Sequence, residues 1–179
     1  MKVSRMNKRK MQIGVIGDSQ IRSDLQYKIA YEIGQEIAHS GSILICGGRG
    51  GVMLAATKGA YDAKGISIGI LPAGVEDEEV SPYLTVRIPT FLHWGRNSIV
   101  ALASEGVIAC GGNIGTLSEL AYAALYDRPI VCITSIPGWS QEIGERGSLQ
   151  HPPVSEQIYH AETGIEAVRK IIEVISTSK

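Results

Sequence analysis

The stretch VIACGGNIGTLSE, Val107–Glu119, runs from an aliphatic segment through two glycines into the start of an amphipathic pattern. Its first four residues carry no polar alternation. A short run of that kind suits a strand buried on both faces, as in a parallel sheet. An earlier stretch, ILICGGRGGVM (Ile43–Met53), has the same order of aliphatic run, Cys-Gly-Gly and helix start. The flanks differ, so this is one physical solution used twice rather than a duplication. Glycine lets the backbone turn sharply and approach a ligand closely. The helix that follows presents free N–H groups and positive potential, which together favour a phosphate.

Further β-like runs occur at Gln12–Ile16, Ser67–Leu71, Thr85–Ile88 and Ile130–Thr134, beside Ile43–Cys46 and Val107–Cys110. Helical patterns fit between them. Leu25, Ile29, Ile33 and Ile37 recur every four residues, with Gly41 as the stop. Further helices are predicted from about Gly51 to Ala63, from Gly95 to Ser104, and from Thr116 or Leu117 to before Pro129. A last helix spans Gly164 to Ile175, with Thr163-x-x-Glu166 as its capping box. Strand alternating with helix predicts a Rossmann-like, doubly wound α/β domain: a mostly parallel sheet with helices on both faces. Right-handed crossovers bring the strand C-terminal ends to one edge. Three glycine-bearing turns then meet there: Gly17–Ser19, Gly47–Gly51 and Gly111–Thr116. The segment from Ser135 to about Gln157 is long for a connection. It reads as a surface loop with a short strand near Gln157–His160, a lid or oligomer contact being the alternative.

Composition sets the boundaries. A chain of 179 residues is most simply one domain, and its 44% hydrophobic content suits a globular protein. Residues 1–10 hold five basic residues and no acids, and read as a disordered basic leader before a single domain over 11–179. The remaining chain then has 12 basic against 18 acidic residues, a net of −6. Such a body argues against nucleic acid as a partner. No run approaches a membrane span. Cys46, Cys110 and Cys132 lie in apolar runs without metal-ligand spacing. They read as reduced, buried thiols of a cytoplasmic protein, and a metal site is not expected.

The motifs also carry a resemblance. GGRGGVMLAATKGA (Gly47–Ala60), GILP (Gly69–Pro72), Arg96-Asn97 and GGNIGTLSE (Gly111–Glu119) are similar to the Lonely Guy superfamily of Rossmann-like nucleotide-binding proteins, once labelled lysine decarboxylases. The branch most like this chain is that of the molybdenum cofactor carrier proteins. The likeness implies homo-oligomers and a phosphorylated, nucleotide-like ligand. It leaves two classes of function: a carrier that holds a molybdopterin-type cofactor, or a phosphoribohydrolase that cleaves the N-glycosidic bond of a nucleoside 5′-monophosphate. A DNA-processing relative of the fold is a weaker third. Arg96, Gly111, Gly112, Gly115, Thr116 and Glu119 match the hydrolase pattern residue by residue. Cys110 stands in place of its proline, Asn97 in place of its lysine, and His93 one position further from the arginine.

The expected site therefore comprises Arg96 and Glu119 as the catalytic pair, with Gly17, Ser19, Gly47, Gly48, Gly51, Gly111, Gly112, Gly115 and Thr116 around the phosphate. Arg96 is a fork for phosphate or for orienting Glu119, against a salt-bridged surface arginine. Glu119 has two readings. It reaches back to Thr116 as the second half of a capping box, or it faces the ligand as a working carboxylate. Asp18 would repel phosphate and is expected against a sugar hydroxyl, a base or its own helix. His93 and Trp94 are candidates for stacking on a base, against packing at a helix start.

Overall fold

The computed structural model describes residues 9–74, 79–152 and 157–177. Of the basic leader, residues 1–8 lie outside the described residues, and Arg9 pairs with Glu105 at 2.8 Å.

Seven parallel strands form one sheet in the order β4-β3-β2-β1-β5-β6-β7. They are β1 Gln12–Gly17, β2 Ile43–Cys46, β3 Ile66–Leu71, β4 Val86–Pro89, β5 Gly106–Cys110, β6 Ile130–Ile133 and β7 Ile158–Ala161. The helices are α1 Asp24–His39, α2 Val52–Asp62, α3 Arg96–Ala103, α4 Ile114–Leu125, α5 Trp139–Arg146 and α6 Gly164–Thr177, with a 3-10 turn at His93–Gly95 before α3. The predicted doubly wound architecture is therefore present.

Strand side chains alternate between two cores. Ile13, Val15, Leu44, Ile108 and Val131 face α1, α2 and α6. Ile16, Ile45, Val107, Ala109 and Ile130 face α3, α4 and α5. With both faces covered, β1 and β5 can be apolar throughout. Strand order reverses at β1, which pairs with β2 on one side and β5 on the other. Crevices at such a reversal are where open α/β sheets take ligands.

Local rules account for the helix ends. Ser23 caps α1 by accepting the Gln26 N–H at 3.1 Å, and Gly41 takes φ +75° just beyond its end. Ahead of α6, the Thr163 hydroxyl accepts the Glu166 N–H at 3.2 Å. The Glu166 carboxylate takes the Glu162 N–H at 2.9 Å, one residue outside the reciprocal box. The α1–α2 crossing is tight, since a Cβ on Gly34 would fall 1.9 Å from the Ala56 carbonyl oxygen.

Three expectations need correction. The helix after β5 begins at Ile114, not Thr116 or Leu117. The connection after β6 contains a full helix, α5, bracketed by Gly138 and by Gly147 in the left-handed region. It went unseen because WSQEIGER offers few apolar residues to mark a period. On α1, Leu25 is 50% exposed, and the side chain turned inward at that level is Gln26.

Candidate functional site

The ends of β1, β2 and β5 and the starts of α2, α3 and α4 enclose a cavity of about 620 Å³. Of the expected site residues, Gly17, Ser19, Arg96, Gly115, Thr116 and Glu119 line it. Gly47, Gly48, Gly51, Gly111 and Gly112 lie behind this lining and shape the loops.

Asp18 ties those loops together. It is buried, and its Oδ2 accepts the Gly112 N–H and the Gln26 Nε2–H, both at 2.8 Å. Its Oδ1 takes the Arg22 guanidinium at 2.8 Å and the Asn113 amide at 3.4 Å. The Asp18 carbonyl accepts the Val52 N–H at 2.9 Å, which seats the first turn of α2. Asp18 thus meets its own helix, through Gln26, and also the loop after β5. Its carboxylate is held by these four donors in the wall of the cavity.

The glycines have local reasons. Gly47 lies under the Arg96 side chain, where a Cβ would fall 2.4 Å from Nη2. Gly112 has φ +106°, and a Cβ there would fall 2.5 Å from the Thr116 side chain. Several loop N–H groups bond within the protein: Gly111 to Ser140 Oγ at 2.7 Å, Gly112 to Asp18, and Gly48 to Cys46 Sγ at 3.3 Å. The first turn of α4, Ile114 to Thr116, also lines the cavity. Its Asn113 N-cap makes no side-chain cap bond, and Ile114, Gly115 and Thr116 stand where a helix has no internal acceptor for them.

Arg96 and Glu119 meet across the α3–α4 contact. Arg96 is 7% exposed and Glu119 6%. Arg96 Nη1 donates to Glu119 Oε1 at 3.1 Å and to Asn97 Oδ1 at 2.9 Å. Arg96 Nε is buried without a hydrogen-bond partner among the described residues. Asn97 in turn donates to Ser118 Oγ at 2.8 Å, fastening α3 to α4. Burial pushes the Glu119 carboxyl up to about 7, and the adjacent Arg96 guanidinium works against that rise. A carboxyl that titrates near neutrality can give or take a proton at working pH.

The capping-box reading of Thr116 and Glu119 is overturned. Thr116 is the third residue of α4 and Glu119 lies in its interior, with its carboxylate on Arg96. Arg49 pairs with Glu79 at the cavity edge. Trp94 is exposed at the mouth. Burial pushes the Cys46 and Cys110 thiols up to about 12, so they stay neutral beneath the loops.

Sequence reasoning missed Ser140 and undervalued Asp18, Asn97 and Gln26. A glutamine recurring beside the apolar stripe of α1 was the available signal for an inward polar network. Among the described residues, no group of His, Cys, Asp or Glu could hold a metal ion. No helix among them is long and apolar enough to cross a membrane.

The seven-stranded parallel sheet with helices on both faces defines the class of doubly wound, Rossmann-like α/β proteins. Within that class the chain belongs to the SLOG cluster4 family, whose model matches residues 10–175. The molybdenum cofactor binding protein from the phototrophic bacterium Rippkaea orientalis is 36% identical, with a TM-score of 0.80 over 94% of this chain and 99% of that one. The molybdenum cofactor carrier protein from Chlamydomonas reinhardtii is 31% identical, with a TM-score of 0.78 over 93% of this chain and 99% of its own. DNA processing protein A from Helicobacter pylori shares the fold at 16% identity and a TM-score of 0.69, over 94% of this chain and 81% of that one.

Proposed function

We propose that this protein binds a phosphorylated, nucleotide-like ligand at the switch-point cavity and carries it unchanged. A molybdopterin-type cofactor is the cargo that its relatives' names suggest. The observation that carries the reading is Arg96. Its guanidinium is buried against Gly47, keeps Nε without a partner among the described residues, and lines the same cavity as the first turn of α4. A planar fork and a helix N-terminus aimed at one space are a phosphate-binding chemistry.

In this reading the N–H groups of Gly115 and Thr116 approach the phosphate, with Ser19 and Gly17 on the opposite rim. Gly47, Gly48, Gly51, Gly111 and Gly112 act by holding that geometry. The acidic body of the chain speaks against a nucleic-acid ligand. Free Cys46, Cys110 and Cys132 favour the cytoplasm, and the exposed Ile114 and Leu125 of α4 favour self-association.

One observation favours hydrolysis as the second reading: the Glu119 carboxyl lies on the cavity with a pKa near 7. There it would take a proton from water as the water attacks the ribose C1′ and the N-glycosidic bond breaks, the pair of electrons leaving with the base.

The two part in one experiment. The protein is incubated with a panel of nucleoside 5′-monophosphates, and binding and free base are measured together. Binding without release, abolished in Arg96→Gln, is the result expected for a carrier. Release that disappears in Glu119→Gln would replace the carrier reading with the hydrolase. Failure of the panel and of a phosphorylated pterin to bind at all would remove the site.

A further inference from the structure

We infer that Trp94 is the platform on which the planar heterocycle of the ligand stacks, so that this residue sets which ring class the cavity accepts; the inference rests on the phosphate site proposed above.

Trp94 is 78% exposed, an unusual state for the largest apolar side chain. Its position is nevertheless held. The His93 N–H donates to the Pro72 carbonyl at 3.0 Å and the Gly95 N–H to the Leu92 carbonyl at 2.8 Å. Phe91 at φ +57°, two residues before the turn, and His93 at φ +48°, its first residue, adopt the left-handed region without being glycine. Such strain persists where the surroundings fix it, and it clusters at ligand clamps.

The indole edge rests on the first turn of α4. Cζ3 lies 3.4 Å from the point a Cβ on Gly115 would occupy, so no side chain stands between the ring and the helix N-terminus. Trp94 and Arg96 both line the main cavity. Both also line an adjoining cavity of about 280 Å³, walled by Pro72 and Ala73 on its apolar side. Arg96 and Trp94 therefore share the lining of both cavities. An anion on Arg96 and the α4 N–H groups places the rest of the ligand beside the indole face. A flat heterocycle laid on that face removes apolar area from water and gains ring–ring contact.

The test uses the full chain and three probes: GMP, a monophosphorylated pterin, and ribose 5-phosphate, which has the anion but no heterocycle. Each is titrated by calorimetry into wild type, Trp94→Ala and Trp94→Phe, with sedimentation run in parallel. Trp94→Ala should weaken the tighter ring-bearing probe roughly 5- to 150-fold and leave ribose 5-phosphate unchanged, with Trp94→Phe in between. Equal loss for all probes, or no loss for any, overturns the stacking role. So does a change in sedimentation with unchanged affinity, which would assign the indole to a contact between copies. Ribose 5-phosphate binding as tightly as the ring-bearing probes in wild type overturns stacking while the anion site stands. Failure of all three probes to bind wild type overturns the anion site and the stacking role together.

Discussion

Glu119→Gln gives the most quantitative test of how the site is built. The side chain is 6% exposed, and glutamine keeps both its shape and an oxygen for Arg96 Nη1, which lies 3.1 Å away. What the substitution removes is titration. The carboxyl is raised from 4.5 to about 7 in the folded chain, chiefly by burial, with Arg96 opposing. Below about 4.5 the carboxyl is protonated in both folded and unfolded chains. Between 4.5 and 7 the folded chain keeps a proton that the unfolded chain has released. The stabilisation is thus fully present below the unfolded pKa and lost as pH rises through the folded one. At about 1.4 kcal/mol per unit, the loss amounts to about 3 kcal/mol by slightly alkaline pH. Urea unfolding of both proteins, followed by far-UV circular dichroism from about pH 4 to about pH 9, isolates this contribution as a difference. Wild type minus Glu119→Gln should fall by about 3 kcal/mol across that window, most steeply between 4.5 and 7. A flat difference would mean that Arg96 fully offsets the cost of burying the charge. A difference that rises with pH would reverse the sign and refute burial as the dominant influence on Glu119.

Two further substitutions probe the scaffold. Gly47→Ala places a methyl 2.4 Å from Arg96 Nη2 and should displace the guanidinium from Glu119. The expected cost is about 1–3 kcal/mol in urea unfolding, together with weaker binding of a phosphate-bearing probe; unchanged values of both would free Gly47 of this role. Asp18→Ala orphans the Gly112 N–H and the Gln26 amide, at about 1–3 kcal/mol for each donor, and should speed hydrogen exchange at the Gly112 amide. Asp18→Asn keeps one oxygen and should cost less, so equal unfolding midpoints for Asp18→Ala and wild type would contradict the network.

The sheet was legible because parallel strands buried on both faces leave dense signals. Ile43–Cys46 was placed residue for residue, and the ends of β5 and β6 within one residue. The convergence of the β1, β2 and β5 loops follows from topology alone once the alternation is read. What could not be read was polar structure that depends on distant partners. Nothing local to Gly-Asp-Ser marks Asp18 as the acceptor for a residue beyond β5. Nothing in WSQEIGER shows that Ser140 will turn inward to take the Gly111 N–H at 2.7 Å while donating to the Ile133 carbonyl at 2.8 Å. These bonds exist because β5 and β6 bring the groups together, and only the fold supplies that proximity.

The failure of the capping-box alternative for Thr116 and Glu119 has the same root. A spacing of three is the signature of a capping box, where a hydroxyl and a carboxylate satisfy helix N–H groups reciprocally. The same spacing puts two interior residues on one face of a helix. Sequence alone cannot separate these, because both turn on where the helix begins. Just before that start Asp18 accepts the Gly112 N–H and the Asn113 side-chain amide, and Asn113 stands at the N-cap. Beginning α4 at Ile114 turns Thr116 back over Gly112 and brings Glu119 onto Arg96. It also leaves the first turn, which lines the cavity, without a side-chain cap. Had Thr116 been the cap, the Glu119 carboxylate would have taken the Thr116 N–H, one of the donors proposed for the anion. The buried Arg–Glu pair and the uncapped helix N-terminus both go with a helix that starts at Ile114. A substitution at Asp18 should reach the proposed anion site through helix register rather than through charge.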